Sequence, residues 1–391
     1  MDREASITEA LTDLRARGLE RTLRVQRAAG GKFIDSGREI LNFSSNDYLD
    51  LARRPEVISA AARALGAYGA GSTASRLIAG TLPIHEELEW RLARWKGHPA
   101  ALVFGSGYLA NSGTIGAVAG RGDHIVTDRL VHASIIDAAV LSRAELYRFP
   151  HNDPGSLEGL LQRLPAAGRR LVVTESVFSM DGDLAPLEEI AAAALRHGAI
   201  LMVDEAHAAG IFGPAGSGLV RERRLEKDVQ ISMGTPSKAL GGYGGFIACS
   251  GPLRELLVNR ARAFIYTTAP PPASLGAALG ALDVVEKEPG LGAKLLARAA
   301  RFRDRLRAAG LDPLRSESQI VPVLVGDNEK ALALAARLRD EGILAAAIRP
   351  PTVPEGTARL RLSVTLAHGE EDLDRAAEAI IRAAQAEGVL R

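Results

Sequence analysis

The sequence predicts an α/β fold, with a mostly parallel seven-stranded sheet flanked by helices and a smaller α/β domain at the C-terminus. Short apolar runs alternate with amphipathic helical patterns, which is typical of strand–helix–strand units. The runs LVVTES and AILMVDEA stay apolar over consecutive positions, as strands buried on both faces do. After about residue 283 a second, shorter α/β pattern begins.

The elements of the large domain follow from these runs in chain order. The predicted strands are residues 101–104, 124–127, 145–149, 170–175, 199–204, 229–233 and 245–249. The predicted helices between them are residues 107–120, 132–142, 155–164 and 186–197. We place this domain at residues 51–282, after an N-terminal helix and extended arm over residues 1–50.

The small domain is predicted at residues 283–391, next to a long helical region over 270–310. Its expected order is strand 319–325, helix 328–341, strands 344–348 and 358–364, and helix 370–384.

Bulk composition excludes several classes of function. A formal net charge of +1 provides no overall field for nucleic acid or an anionic membrane. The single cysteine, Cys249, excludes an intramolecular disulfide and a multi-cysteine metal site, and we expect it to be buried and inert. The charged N-terminus resembles no secretory signal, and no run of about 18 apolar residues predicts a membrane span. A cytoplasmic protein is expected.

Polar groups follow five of the predicted strands at one end of the sheet. They are Ser106-Gly107-Tyr108, His132, the segment from Glu175 to Asp183, Asp204 with His207, and Lys238 within TPSKALGGYGG. In open parallel sheets, ligands bind beyond the carboxyl ends of the strands. The five loops therefore predict one composite site.

A pyridoxal 5'-phosphate site accounts for all five loops. Lys238 can form a Schiff base, and Asp204 can face the pyridine nitrogen so that the ring acts as an electron sink. His132 offers a flat partner for the ring, and the helix start at Gly107 offers backbone N–H groups for phosphate.

Other readings of the same residues are weaker. A metal site would have to combine Asp204, His207, Glu205 and His132 without any recognisable ligand motif. A serine hydrolase needs GxSxG, which Gly105-Ser106-Gly107 only half provides. A nicotinamide-binding fold needs GxGxxG between a strand and a helix, whereas Gly241–Gly245 leads into a strand.

Eight motifs carry a family resemblance over nearly the whole chain, from about Arg21 to the C-terminal helix. They are LNFSSNDYLDLA, GSTASRLIAG, FGSGYLAN, TDRLVHASIIDA, TESVFSMDGD, VDEAHAAGIFG, GTPSKALGG and IRPPTVPEGTARLRLSVT. In this order they resemble the α-oxoamine synthases, pyridoxal-phosphate enzymes of transferase fold type I.

The resemblance implies roles residue by residue. Lys238 would carry the cofactor, Asp204 would pair with its ring nitrogen, His132 would stack on the ring, and His207 and Ser179 would flank its hydroxyl. The implied cofactor-binding set is Ser106, Gly107, Tyr108, His132, Glu175, Ser179, Asp204, His207, Thr235, Lys238, Thr267 and Thr268. Thr267 and Thr268 would reach the phosphate of a neighbouring subunit, so a homodimer with the site at its interface is implied.

The resemblance also implies the substrates. Arg361, with Asn46 nearby, would bind the amino-acid carboxylate, although Arg359 lies on the same strand face and the two roles could be reversed. Arg21 and Thr352 match positions associated with the acyl substrate, and Arg21 or Arg349 could meet a distal carboxylate. The closest motif match is to family members that condense L-alanine with pimeloyl-CoA or pimeloyl-acyl carrier protein in biotin synthesis.

One alternative within the family stays open, and a second is disfavoured. Glycine-condensing siblings, such as glycine C-acetyltransferase and 5-aminolevulinate synthase, share the chemistry. A non-catalytic subunit would have lost its lysine, whereas Lys238 is present.

A few positions depart from the pattern of the family. Asp50 and Ala74 stand where glycine is usual, so loop geometry is expected to change there. Val131 and Pro236 also depart from it. The remaining histidines, at positions 85, 98, 124, 151, 197 and 368, are expected on the surface or in loops.

Overall fold

The computed structural model describes residues 4–21, 23, 25–26, 30–35 and 37–390. The predicted arm and the last domain therefore extend slightly beyond the described residues. The chain begins with helix α1 (Ala5–Ala16), followed by strands β1 (Lys32–Asp35) and β2 (Arg38–Asn42). Helices α2 (Pro55–Tyr68) and α3 (Pro83–Lys96) come next and were not predicted.

The large domain alternates strands and helices as predicted. Its elements are β3 (Ala100–Phe104), α4 (Gly107–Val118), β4 (His124–Asp128), α5 (Ala133–Ser142), β5 (Glu145–Phe149), α6 (Pro154–Arg163), β6 (Arg170–Glu175), α7 (Leu187–Arg196), β7 (Ile200–Asp204), α8 (Leu219–Glu222), β8 (Ile231–Gly234), β9 (Gly245–Cys249), α9 (Gly251–Arg260), α10 (Arg262–Ile265) and α11 (Pro272–Lys287).

The seven strands form one sheet in the order β3-β9-β8-β7-β6-β4-β5, with β9 antiparallel to both of its neighbours. The predicted mostly parallel seven-stranded sheet is thus confirmed. β8 begins at Ile231 rather than at position 229, because the Val229 N–H donates to the Leu225 carbonyl in a preceding turn.

The sheet separates two apolar layers, which explains why its central strands are apolar throughout. On β6, Val172 packs in one layer, whereas Leu171 and Val173 pack in the other. Helices α2, α3, α6, α7 and α11 contribute to the first layer, and α4, α5, α9 and α10 contribute to the second. Cys249 is fully buried, as expected, and burial raises the pKa of its thiol to about 12.

The C-terminal part of the chain forms a smaller α/β layer. It contains α12 (Leu291–Ala308), β10 (Ile320–Gly326), α13 (Asn328–Asp340), β11 (Ile343–Leu344), β12 (Ala346–Ile348), β13 (Ala358–Ser363) and α14 (Glu370–Ala386). β13 pairs antiparallel with β10 and β12, while β11 pairs in parallel with β2. The early strand β2 therefore joins the C-terminal layer.

The expectation that the other histidines lie at the surface or in loops is wrong for His85, which lies in α3, and for His124, which begins β4. His368 lies in the loop before α14, although it is buried. His85 and His368 are fully buried, and His124 is nearly so. Their rings bond to backbone: His368 Nε2 lies 2.9 Å from the Gly31 carbonyl oxygen, and His85 Nδ1 accepts from the Leu82 N–H at 3.1 Å. Such partners are not visible in a local sequence pattern.

Asp50 adopts a left-handed backbone conformation with φ 57°. Glycine is the usual residue for this conformation, and aspartate is among the side chains that tolerate it. The turn therefore keeps a glycine-like conformation despite the substitution. Among the described residues, no helix is both long and apolar enough to cross a membrane.

Candidate active site

A cavity of about 180 Å³ lies at the carboxyl ends of β3, β4, β6, β7 and β8. Larger grooves occur elsewhere, including one of about 620 Å³ beside α10, whose described lining contains no carboxylate, lysine or histidine. The smaller cavity is the one that holds the predicted residues Lys238, Asp204 and His132. Its walls are formed by Gly107, Tyr108, Asn111, His132, Ser134, Glu175, Asp204, Ala206, His207, Met233, Thr235, Ser237 and Lys238.

Lys238 reaches this cavity from the loop between β8 and β9. Its Nζ lies 2.9 Å from Nε2 of His207. Burial of the amine lowers the pKa of Lys238 to about 8, although the nearby Asp204 and Glu175 carboxylates oppose that shift. The neutral, nucleophilic form of the amine is therefore far more populated near neutral pH than that of an ordinary lysine.

The glycines after Lys238 let its loop pack closely. Gly241 has φ +62°, and a Cβ atom there would lie 2.2 Å from the Ala52 nitrogen. The Gly242 N–H donates to the Pro236 carbonyl at 2.8 Å, which closes the loop around Lys238. Pro236, which departs from the family pattern, thus takes part in fixing the loop through its carbonyl.

Asp204 ends the central strand β7 and is buried. One carboxylate oxygen accepts from Asn111 Nδ2 and the other from the Ala206 N–H, each at 2.9 Å. Among the described residues, no lysine, arginine or histidine nitrogen lies within 4 Å of this carboxylate. A buried carboxylate that makes no direct ion pair with these residues suits a protonated ring nitrogen as a partner.

His132 stands at the N-terminus of α5, at the exposed edge of the cavity. Its Nδ1 lies 2.8 Å from the Ser134 hydroxyl, which also accepts from Asn111 Nδ2 at 2.9 Å. The backbone N–H of His132 donates to the Glu175 carboxylate. Burial raises the pKa of Glu175 well above its usual range, and the Asp204 carboxylate adds to that rise.

The N-terminus of α4 opens on the same cavity. Ser106 caps the helix by accepting the Leu109 N–H at 3.1 Å. A Cβ atom at Gly107 would lie 2.9 Å from Met233 Cε, so a side chain there would require Met233 to shift. The Thr235 hydroxyl lies beside that of Ser237. Helix N–H groups and hydroxyls are the donors that a phosphate group requires.

Arg361, on β13, is a buried cation that forms no ion pair with any carboxylate in the described part of the chain. It donates to the Ser179 carbonyl at 2.6 Å, to Ser363 Oγ at 3.0 Å, to Asn46 Oδ1 at 3.3 Å and to the Tyr48 hydroxyl at 3.3 Å. All of these partners are uncharged. None of these partners balances the charge of the guanidinium, so an anionic ligand would be stabilised beside it.

Eight predicted site residues do not line the cavity of the single chain. Ser106 caps α4, and Ser179 and Asn46 contact Arg361. The other four are Arg21, Thr352, Thr267 and Thr268. Arg21 and Thr352 are exposed. Thr267 is half-buried, and Thr268 is exposed and forms an isolated antiparallel bridge with Ser75. Arg349, the other candidate for a distal carboxylate, donates to the Gly18 carbonyl.

Several residues of the site were not identified from the sequence. Asn111, Ser134 and Ser237 lie within recognised motifs, so their motif position was the only available signal. Tyr48 also lies within a motif, and its hydroxyl is 2.8 Å from His207 Nδ1. Among the described residues, no cluster of three or more His, Cys, Asp or Glu side chains is suited to a metal ion.

The donor set fits pyridoxal 5'-phosphate. One cavity offers an amine of lowered pKa, a buried carboxylate, an exposed histidine ring and a helix N-terminus. These are the groups that a cofactor with an aldehyde, a pyridine nitrogen, an aromatic face and a phosphate requires.

Comparisons with known proteins agree with this chemistry. Residues 38–380 match the family described as aminotransferase class I and II. The 8-amino-7-oxononanoate synthase of Geobacter sulfurreducens is 50% identical over 388 residues, which cover 98% of this chain and 99% of the relative. That of Anaeromyxobacter dehalogenans is 51% identical, covering 93% and 92% of the two chains.

Solved structures with the same fold include a serine palmitoyltransferase of Sphingomonas wittichii. It is 33% identical, with a TM-score of 0.93 and coverage of 100% of this chain and 99% of the other. A crystal structure of 8-amino-7-oxononanoate synthase from Francisella tularensis is 29% identical, with a TM-score of 0.77 and coverage of 89% and 99%.

Proposed function

Because this chain belongs to the class I and II aminotransferase family, and within it to the 8-amino-7-oxononanoate synthases, we propose that it condenses L-alanine with a pimeloyl thioester. The products are 8-amino-7-oxononanoate, CO2 and a free thiol, and the reaction serves biotin synthesis. The chain is a pyridoxal-phosphate-dependent acyltransferase. The observation that carries the proposal is the placement of Lys238, Asp204 and His132 around one cavity.

The bound cofactor supplies an electron sink that stabilises negative charge at the α-carbon of the amino acid. Asp204 favours that chemistry because its carboxylate would hold a proton on the ring nitrogen. Lys238 would anchor the cofactor through its amine. Once an amino acid displaces it, the neutral amine would act as the base for the α-proton, for which a pKa of about 8 is well suited.

The remaining residues bind and orient. Arg361 would hold the amino-acid carboxylate, His132 would pack on the cofactor ring, and Thr235 with the N-terminus of α4 would bind phosphate. Overall, a carbon–carbon bond forms between the α-carbon and the thioester carbonyl, and the thiol leaves. The carboxylate then departs as CO2, and a proton takes its place at the α-carbon.

A spectroscopic assay tests the proposal directly. The purified protein loaded with pyridoxal phosphate is expected to show a visible absorption band, which shifts on addition of L-alanine. Glycine should leave the band unchanged. Lys238→Ala is the matched control and should lack the band of the lysine-bound cofactor. The absence of a visible band in wild-type protein loaded with pyridoxal phosphate would contradict the proposal.

A product assay separates the alternatives within the family. With pimeloyl-CoA and with pimeloyl-acyl carrier protein, mass spectrometry should detect the alanine-derived amino ketone from at least one donor. A product formed only from glycine would instead assign the chain to the glycine-condensing siblings. Arg21 and Thr352 belong to the acyl site in this proposal, so Arg21→Ala should raise KM for the thioester.

A further inference from the structure

Tyr48 is fully buried, and its hydroxyl lies between three polar groups of the site. It is 2.8 Å from His207 Nδ1, 3.1 Å from Asn46 Oδ1 and 3.3 Å from Arg361 Nη2. Burial raises the pKa of the phenol, although Arg361 opposes that rise. The hydroxyl therefore keeps its single proton over the working pH range.

The possible hydrogen bonds of this hydroxyl follow from proton counting. Arg361 can only donate, so the Tyr48 oxygen accepts from it. Asn46 Oδ1 can only accept, whereas His207 Nδ1 can do either. If Nδ1 carries a proton, it donates to Tyr48 and the phenol donates to Asn46. If Nδ1 is unprotonated, the phenol O–H rotates and donates to it. Tyr48 can thus satisfy both neutral tautomers of His207.

The choice of tautomer matters because the other ring nitrogen faces Lys238. Burial lowers the pKa of His207 well below its usual range, and Lys238 and Arg361 add to that effect, so the ring is neutral and carries one proton. His207 Nε2 lies 2.9 Å from Lys238 Nζ. A Lys238 ammonium group donates to Nε2 and places the ring proton on Nδ1. When Lys238 is neutral, Nε2 is free to become the donor.

We propose that Tyr48 is a positioning residue that allows His207 to exchange donor and acceptor roles at Nε2 as Lys238 loses its proton. The same phenol joins Arg361 to this chain of hydrogen bonds, so the carboxylate site and Lys238 share one network. This inference rests on the proposed function, in which Lys238 alternates between cofactor and substrate proton.

The charged and titratable groups that face this network define what else could perturb it. His207 is faced by Lys238, Arg361, His132 and Tyr48. Tyr48 is faced by Arg361, with the uncharged Gln319 and Ser363 beside it. Lys238 is itself faced by Asp204, Glu175 and Arg361, and its pKa is about 8.

Side-chain ¹⁵N NMR of the cofactor-free, histidine-labelled wild-type chain tests the exchange without altering Tyr48. His207→Gln identifies the His207 signals by their loss. Below about pH 8, where Lys238 is charged, the Nδ1-protonated tautomer is expected, and the Nε2-protonated form should gain population above it. If His207 showed the same tautomer below and above pH 8, the proposal would be overturned.

A mutant cycle tests the consequence for the reaction in the loaded enzyme. Tyr48→Phe should lower kcat about tenfold, because a buried nitrogen loses its partner, while KM for L-alanine changes less than about threefold. In a His207→Gln background the same substitution should change kcat less than about twofold. Tyr147→Phe, which removes an exposed hydroxyl bonded to Glu145, is the matched control and should leave kcat unchanged.

The outcomes separate this inference from the proposed function. Equal losses of kcat from Tyr48→Phe in both backgrounds would mean a role independent of His207 and would overturn the inference alone. A wild-type protein that forms no visible band with pyridoxal phosphate would overturn the proposed function, and the inference with it.

Discussion

Two arginines on one face of β13 have opposite electrostatic surroundings. Arg359 forms a buried ion pair with Asp181, whereas every contact of Arg361 within the described residues is with an uncharged group. A guanidinium whose charge is already balanced by a carboxylate gains little from binding a second one. A buried guanidinium without an ion pair lowers the stability of the fold until an anion binds. This difference favours Arg361 as the substrate-binding residue.

Lysine substitutions distinguish the two arginines. Arg361→Lys should raise KM for L-alanine by roughly 10- to 100-fold, because lysine cannot make the bidentate contact. Arg359→Lys is the matched control, since it keeps the charge opposite Asp181, and should change KM less than about threefold. Steady-state kinetics at saturating thioester measures both. A larger KM effect at Arg359 would reverse the assignment.

The lowered pKa of Lys238 has a kinetic consequence. The neutral amine attacks the aldehyde of pyridoxal phosphate, so the rate of band formation in cofactor-free protein should rise with pH. The rise should centre near pH 8 rather than near 10.5, because burial shifts the amine pKa downward. Stopped-flow absorbance at several pH values provides the measurement. A midpoint near 10 would show that the amine is not desolvated.

At the scale of elements, the loop between β6 and α7 connects the two α/β layers. Its Ser179 carbonyl accepts from Arg361, and its Asp181 pairs with Arg359. A Cβ atom at Gly182 would lie 2.1 Å from the Ile320 carbonyl oxygen, so the loop packs directly on β10. The position of the Arg361 side chain therefore depends on the conformation of this loop.

His151 connects the loop between β6 and α7 to strand β4. Its ring nitrogens lie 3.1 Å from Asp128 Oδ1 and 2.8 Å from Asp183 Oδ2. Burial alone would lower the pKa of His151, but the hydrogen bonds to the two carboxylates outweigh it and raise the pKa to about 10. The ring is thus an imidazolium joining β4 to the loop.

Replacing His151 should destabilise the fold in a pH-dependent way. His151→Gln should lower the free energy of unfolding by about 2 kcal/mol near pH 6. Because the folded-state pKa is raised, this contribution is complete below the unfolded value of about 6.5 and is lost as pH rises towards 10. Urea denaturation at pH 6 and 9.5 measures the difference between wild type and variant.

His197→Gln provides the control for this experiment. Its ring bonds to the single carboxylate of Glu158, and the variant should lose less than about 1 kcal/mol. A pH-independent loss in His151→Gln would show that packing against Phe178, rather than charge, is what His151 contributes.

At the scale of the whole molecule, a single chain leaves part of the predicted phosphate site unaccounted for. Thr267 and Thr268 lie outside the cavity that contains Lys238. Large apolar side chains are exposed on this part of the surface, including Tyr266 at 71% and Leu141 at 73%. Both features fit a homodimer in which each chain completes the other's site, which we propose as the working assembly.

Complementation between inactive variants tests this assembly. Lys238→Ala and Thr268→Val should each be weakly active alone or inactive. If the two residues serve one site from different chains, mixed and reassociated subunits should regain about a quarter of the wild-type activity, because half of the dimers are hybrids with one intact site. Mixing without gain would place both residues in the same chain's site or rule out the dimer.

The sequence alone determined the seven strands and the residues at their carboxyl ends. Lys238, Asp204, His132 and His207 were predictable because parallel strands bring their ends to one edge, and strand periodicity is a local signal. The cofactor class followed from the combination of those groups.

The tertiary structure alone decided which partners these groups take. Tyr48 meets His207 across 159 positions of sequence, and Arg361 meets the Ser179 carbonyl across 182. The tertiary structure also determines that Arg359 pairs with Asp181 and that His368 is buried against the Gly31 carbonyl. Local patterns specify which residues form an element and which face they occupy. The partner of a buried polar group is selected by packing between distant segments, because each such group must find a hydrogen bond wherever the fold places it.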